Sequence, residues 1–197
     1  MSDGISIAVD VMGGDFGPAI TVPACVNFLI KNPSHQILAV GDRNLIINSL
    51  QCISRNHLKQ CGIDSSGESE RMNIIHTTEV VSMDDPPAIA LKNRRNSSMW
   101  KSIEILKDGH AGGMVSAGNT GALMAISRYL LKTLDGIDRP AIASSLPNRA
   151  GKATTVLDLG ANVECSAQQL FQFALMGSAL VSVVDQIARP SVGQHLV

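Results

Sequence analysis

Three segments combine glycine with hydroxyl, amide or carboxylate side chains where apolar runs break off: Asp10-Val11-Met12-Gly13-Gly14-Asp15, Ser116-Ala117-Gly118-Asn119-Thr120-Gly121-Ala122, and Asp158-Leu159-Gly160-Ala161-Asn162. Glycine lets a turn bring backbone N–H groups close to a ligand, and the amides that open a helix carry partial positive charge. The chemistry that suits such turns is the holding of an anion. Ser116 to Ala122 is the sharpest of the three, with two glycines, the hydroxyls of Ser116 and Thr120, and a helical pattern that follows at once. The plainer reading of the same residues is a tight strand-to-helix turn with Asn119 as N-cap. Spacing alone leaves both open.

A second constellation is Asp84-Asp85-Pro86-Pro87 followed by Lys92, Arg94, Arg95 and Ser97-Ser98. Asp84 or Asp85 is expected to cap a helix whose first turn takes a proline. The three cations suit phosphate or an acidic partner, and their plain alternative is a solvated helix face. Other chemistries lack their residues. Gly151-Lys152-Ala153-Thr154 has Leu146 where a phosphate-binding P-loop needs its first glycine, and it enters a strand instead of opening a helix. No G-x-G-x-x-G follows Val11, no G-x-S-x-G elbow occurs, and the five histidines fall at no triad or metal-ligand spacing, so no metal or cofactor site is expected. An ionised Asp10, Asp15 or Asp158 facing phosphate would repel it. These carboxylates are therefore expected to orient amides or pair with a lysine, with general-base work as the weaker alternative.

The elements that must position these residues follow from hydrophobic period. Ile5 to Val11, Gln36 to Val40, Asn73 to Thr77, Gly113 to Ala117, Ala141 to Leu146 and Thr154 to Leu159 are near-continuous apolar runs, as in strands buried on both faces. Ile20 to Ile30, Leu45 to Gln60, Pro87 to Lys107, Thr120 to Leu134 and Ala167 to Ile187 show apolar residues three and four apart, as covering helices do. Alternation of the two predicts an α/β fold, a mostly parallel, Rossmann-like three-layer sheet of six strands with helices on both faces. In such a sheet the carboxyl ends of the strands share one edge, so the glycine corners are expected to converge there. Residues 1–187 read as one α/β domain and 188–197 as an irregular tail.

Composition narrows the function. Net charge is −1 and aromatics are 3 % of the 197 residues, so neither a positive field nor a base-stacking platform for nucleic acid is present. The four cysteines form no CxxC pair and read as reduced thiols of a cytoplasmic protein. The N-terminus lacks signal-peptide character, and Ala174 to Val184 is too short and too interrupted by Gly177, Ser178 and Ser182 to cross a bilayer.

Taken together, Ala8 to Pro18, Thr78-Glu79-Val80-Val81, Met83, Asp85-Pro86, Ser97-Ser98-Met99, Ser116 to Met124 and Val156 to Val163 closely resemble the bacterial phosphate acyltransferase family, PlsX, of phospholipid synthesis. The resemblance runs in register from about Ile5 to about Ile187 and covers the N-terminal part of that family. It implies an architecture incomplete relative to the family, with the chain truncated or shifted in frame after Arg189. It also implies transfer of a fatty acyl group from acyl carrier protein to inorganic phosphate, without a cofactor. The product is an acyl phosphate for a glycerol-3-phosphate acyltransferase at the membrane, and the enzyme is a homodimer that works near that membrane.

Phosphate is itself the nucleophile and a thiolate leaves readily, so the protein need only position and neutralise. The expected catalytic residues are Asn119, Thr120, Lys152 and Asn162. The expected phosphate-binding residues are Ser116, Gly118, Gly121, Gly13, Gly14, Asp15, Asp158 and Gly160, while Arg94 and Arg95 are expected to meet the acidic carrier protein. Two readings compete with this one: a non-catalytic remnant that still binds an anion or partner, and a phosphate acyltransferase that takes its acyl group from coenzyme A.

Overall fold

The computed structural model describes residues 4–64, 66–149, 151–159 and 164–193. The chain divides into two compact units, Met1–Leu131 and Lys132–Val197.

In the first unit, β1 (Ser6–Asp10), β2 (Gln36–Gly41), β3 (Met72–His76) and β4 (Gly113–Ser116) form one parallel sheet in the order β3-β2-β1-β4. The chain builds outward from β1 through β2 to β3, then returns to lay β4 on the other side of β1. Right-handed crossovers taken in opposite directions deposit their helices on opposite faces. Two separate apolar clusters match that rule. One gathers Val22, Cys25, Val26 and Leu29 of α1 (Pro18–Lys31) and Ile46 and Leu50 of α2 (Arg43–Gln51) against Ile37, Met72 and Ile74. The other gathers Ala90 of α4 (Pro87–Asn93), Met99, Trp100 and Ile103 of α5 (Ser98–Lys107), and Ala122, Ile126 and Leu130 of α6 (Thr120–Leu131). Each fully buried Leu or Ile contributes roughly 1.5–3 kcal/mol, so the sheet is clamped from both sides behind its carboxyl edge.

Two expected helices are each divided. Leu45 to Gln60 is α2 followed by α3 (Arg55–Gln60), because the Ser54 hydroxyl takes the His57 N–H and restarts the helix. Pro87 to Lys107 is α4 followed by α5, because Ser97 caps α5 through the Trp100 N–H. Such hydroxyls compete with helix continuation and favour a cap. Pro86, and neither Asp84 nor Asp85, occupies the N-cap of α4 and makes no side-chain cap bond. The aspartate cap expected there is corrected: Asp85 is engaged elsewhere, as described below.

The second unit departs from the six-stranded expectation. β5 (Ala143–Pro147) and β6 (Ala153–Leu157) pair with each other, antiparallel, as a separate two-stranded sheet. Only five residues, 148–152, join them; a parallel crossover needs a dozen or more. α7 (Ala167–Val184) opens with a capping box in which the Ser166 hydroxyl takes the Gln169 N–H and the Gln169 side chain takes the Ser166 N–H. It lies on β6, with Gly177 against Leu157. With 18 residues, α7 is long and apolar enough to cross a membrane by length and composition, longer than the 174–184 stretch visible as an apolar run.

Candidate active site

The sheet reverses its direction of growth between β1 and β4, and in open α/β sheets that switch point is where ligands bind. The last residues of these two strands, Asp10 and Ser116, are register partners. The Ser116 hydroxyl donates to Asp10 Oδ2 at 2.7 Å and accepts the Gly118 N–H at 3.1 Å. Asp10 is 2 % exposed, and its other oxygen, Oδ1, is buried with no protein partner among the described residues. The carboxylate thus acts on an amide through a hydroxyl.

Gly13 shows why this corner admits no side chain. A Cβ there would stand 2.8 Å from the Gly118 nitrogen and 2.9 Å from Asp10 Oδ2, distances that only a backbone shift relieves. Gly14 follows at φ +87°, in the left-handed region that glycine enters without cost, beside the Ala117 carbonyl. The turns after β1 and β4 therefore meet, as their sequences predict. α1 is fixed to the same place, since the Thr21 hydroxyl donates to the Val11 carbonyl at 2.6 Å. Asp15 and Phe16, between that turn and α1, are exposed.

α6 starts directly from the β4 turn. Asn119 caps it, with Oδ1 accepting the Ala122 N–H at 3.0 Å. Its Nδ2 faces three carbonyls, those of Ser82 (3.2 Å), Met83 (2.9 Å) and Asp85 (2.9 Å). The side-chain amide has two hydrogens, and this loop engages both, so the Asn119 side chain builds the corner and keeps no N–H of its own for an oxyanion. Thr120 and Gly121 occupy the first two positions of the helix, where an N–H has no intrahelical acceptor. Both are exposed, and the helix dipole adds partial positive charge at their amides. Gly121 sits against Pro87, so α4 walls this side.

One cation of the basic cluster, Arg94, is committed to the same loop. Arg94 Nε donates to Asp85 Oδ2 at 3.2 Å, and that oxygen also takes the Ser82 N–H at 3.0 Å. The Ser82 amide first, and Arg94 after it, hold the Asp85 carboxyl below the usual carboxylate range. Arg95 lies over the Trp100 ring, 5.7 Å from its centroid, and remains exposed, as does Lys92.

The remaining predicted site residues belong to the second unit. Lys152 stands in the turn between β5 and β6, its N–H donating to Asn148 Oδ1 at 3.0 Å. Asp158 follows β6 at φ +65°, its N–H bonded to the Ile142 carbonyl at 2.8 Å and its Oδ2 accepting from Cys165 Sγ at 3.4 Å. Desolvation, and then the Asp158 carboxylate, raise the Cys165 thiol above its ordinary range. Gly160 and Asn162 lie outside the described residues. Sequence reasoning missed Thr21 and the carbonyls of residues 82–85 as parts of the site. Only the recurrence of Met83 and Asp85-Pro86 among the resemblance motifs singled out the second of these.

A parallel sheet covered by helices on both faces, with a capped helix N-terminus at its switch point, defines a doubly wound α/β protein. A phosphotransacetylase from Streptococcus pyogenes shares the fold, with a TM-score of 0.62 at 16 % identity over 95 % of this chain and 56 % of that one. The family model described as "Fatty acid synthesis protein" matches residues 5–197. Proteins named phosphate acyltransferase from Bordetella parapertussis and Delftia acidovorans are each 52 % identical over 96 % of this chain, and one from Albidiferax ferrireducens is 54 % identical over the same share. The chain belongs to this family, that of the PlsX phosphate acyltransferases. It spans about half the length of the curated relatives it matches, 51 % of the Bordetella protein and 49 % of the other two.

Proposed function

We propose that this chain carries the phosphate-holding part of an enzyme that transfers a fatty acyl group from acyl carrier protein to inorganic phosphate. The observation that carries the reading is the α6 N-terminus at the switch point, where Thr120 and Gly121 are exposed in the first turn and the preceding Ala117-Gly118 meets the Gly13-Gly14 turn. A phosphate held there attacks the thioester carbonyl. Its oxygen forms the new C–O bond, the C–S bond breaks, and the proton of hydrogen phosphate ends on the departing thiolate. Losing one donor aimed at the developing charge costs about 10²–10³-fold in rate. Asn119 serves this chemistry by placing α6.

The donor fits the exposed cation Arg95, since acyl carrier proteins are acidic. The family resemblance supports the homodimer, the membrane-bound acyltransferase that consumes the product, and a cytoplasmic site of action close to the membrane. The test is to incubate the purified chain with acyl carrier protein thioester and phosphate and trap acyl phosphate as the hydroxamate. Turnover with acyl-coenzyme A alone would move the assignment to a coenzyme A-dependent enzyme, and phosphate binding without turnover would make the chain a binding remnant.

A further inference from the structure

We propose that Asp10 is a positioning residue for phosphate, acting through the Ser116 hydroxyl to set the direction in which the β4–α6 turn presents its amides. This rests on the functional reading above. A carboxylate at 2 % exposure, with one oxygen unpartnered among the described residues, is costly to bury, and an apolar residue would fill the same space more cheaply. Such residues concentrate where a site needs them.

What Asp10 supplies is direction. Because its Oδ2 takes the Ser116 proton at 2.7 Å, the Ser116 lone pair is turned to the Gly118 N–H at 3.1 Å. A serine without that acceptor can rotate its hydrogen elsewhere and release the amide. Gly118 immediately precedes Asn119, so its peptide plane fixes how α6 begins and where the Thr120 and Gly121 amides stand. Gly13 encloses the relay, with its Cα 3.4 Å from where a Gly118 Cβ would lie. Asp10 Oδ1 has essentially no accessible surface, so the carboxylate does not itself touch a ligand.

The test measures inorganic phosphate binding to the full chain by calorimetry, with circular dichroism to confirm folding and, where turnover is present, KM for phosphate set against KM for the acyl donor. Ser116→Ala is expected to weaken phosphate about tenfold, within the hundredfold that a 1 Å misplacement costs, and to leave the donor KM unchanged. Asp10→Ala is expected to do the same, and Asp10→Ala with Ser116→Ala no worse than either alone, because both break one chain of contacts. Asp10→Asn, whose amide oxygen still accepts the Ser116 proton, restores most of what Asp10→Ala loses. If Asp10→Ala does not fold, Ser116→Ala and Asp10→Asn decide the matter. Unchanged phosphate affinity in folded Ser116→Ala, or a loss in Asp10→Asn as large as in Ser116→Ala, overturns this inference alone. Absence of phosphate binding by the wild-type chain overturns the functional reading and this inference with it.

Discussion

Asn119→Ala separates a residue that builds the corner from one that merely lines it. The substitution removes the acceptor for the Ala122 N–H and the donor that faces the Ser82, Met83 and Asp85 carbonyls. Loss of an N-cap costs about 1 kcal/mol. Each of the two N–H hydrogens stabilises by about 0.5–1.5 kcal/mol in an intramolecular bond, so the total is roughly 2–4 kcal/mol. For a chain of this length that lowers Tm by about 10 °C. Asn119→Asp distinguishes the two tasks, because its carboxylate keeps the cap and favours the helix dipole but turns an oxygen toward three carbonyls. Hydrogen exchange read peptide by peptide should show residues 82–87 opening in Asn119→Asp while the first turn of α6 stays protected, and both opening in Asn119→Ala. Wild-type protection of 82–87 in Asn119→Asp, or a destabilisation below about 0.5 kcal/mol in Asn119→Ala, would refute the reasoning.

Gly13→Ala should destabilise by about 1–3 kcal/mol, because its Cβ meets backbone, whereas Gly118→Ala meets chiefly the flexible end of Met99 and should cost less; urea midpoints compare the two. Burial pushes the Cys25 thiol up to about 12. The unfolded chain therefore loses this proton first as pH rises past the ordinary thiol value, and stability falls between about pH 9 and 12 by up to about 1.4 kcal/mol per pH unit; urea unfolding of Cys25→Ala should show a flatter alkaline limb. Arg95→Glu should raise the apparent KM for acyl carrier protein with little change in Tm, since among the described residues Arg95 has only the Trp100 face to lose. Arg94→Glu sets a carboxylate against Asp85 and should lower Tm as well, so a carrier effect seen only in Arg94→Glu would point to loop damage.

Much of the frame is legible in the residues themselves. The apolar runs of β1 and β2 are largely covered, as strands in the middle of a parallel sheet are, whereas β3 and β4 at its ends leave Asn73, His76 and Val115 exposed. The meeting of the Gly13-Gly14 and Ser116–Gly121 turns follows from parallel strands sharing one carboxyl edge, and the Asn119 cap follows from residue type. The breaks at Ser54 and Ser97 were less visible, because apolar spacing on either side of a short connection keeps the helical period and hides the restart.

Burial pattern says that a strand is covered and leaves open which strand lies beside it or in what sense, so β5 and β6 look in sequence like two more members of the parallel sheet. Their antiparallel pairing is decided by the short connection between them. The pairing of Asp10 with Ser116 spans 106 residues, and the hold of Asn119 on residues 82–85 spans 34 to 37. Residue type shows that these side chains can donate and accept. Which of them meet is set by sheet register and by the packing of α4 against α6, quantities that exist only once distant parts of the chain are folded together.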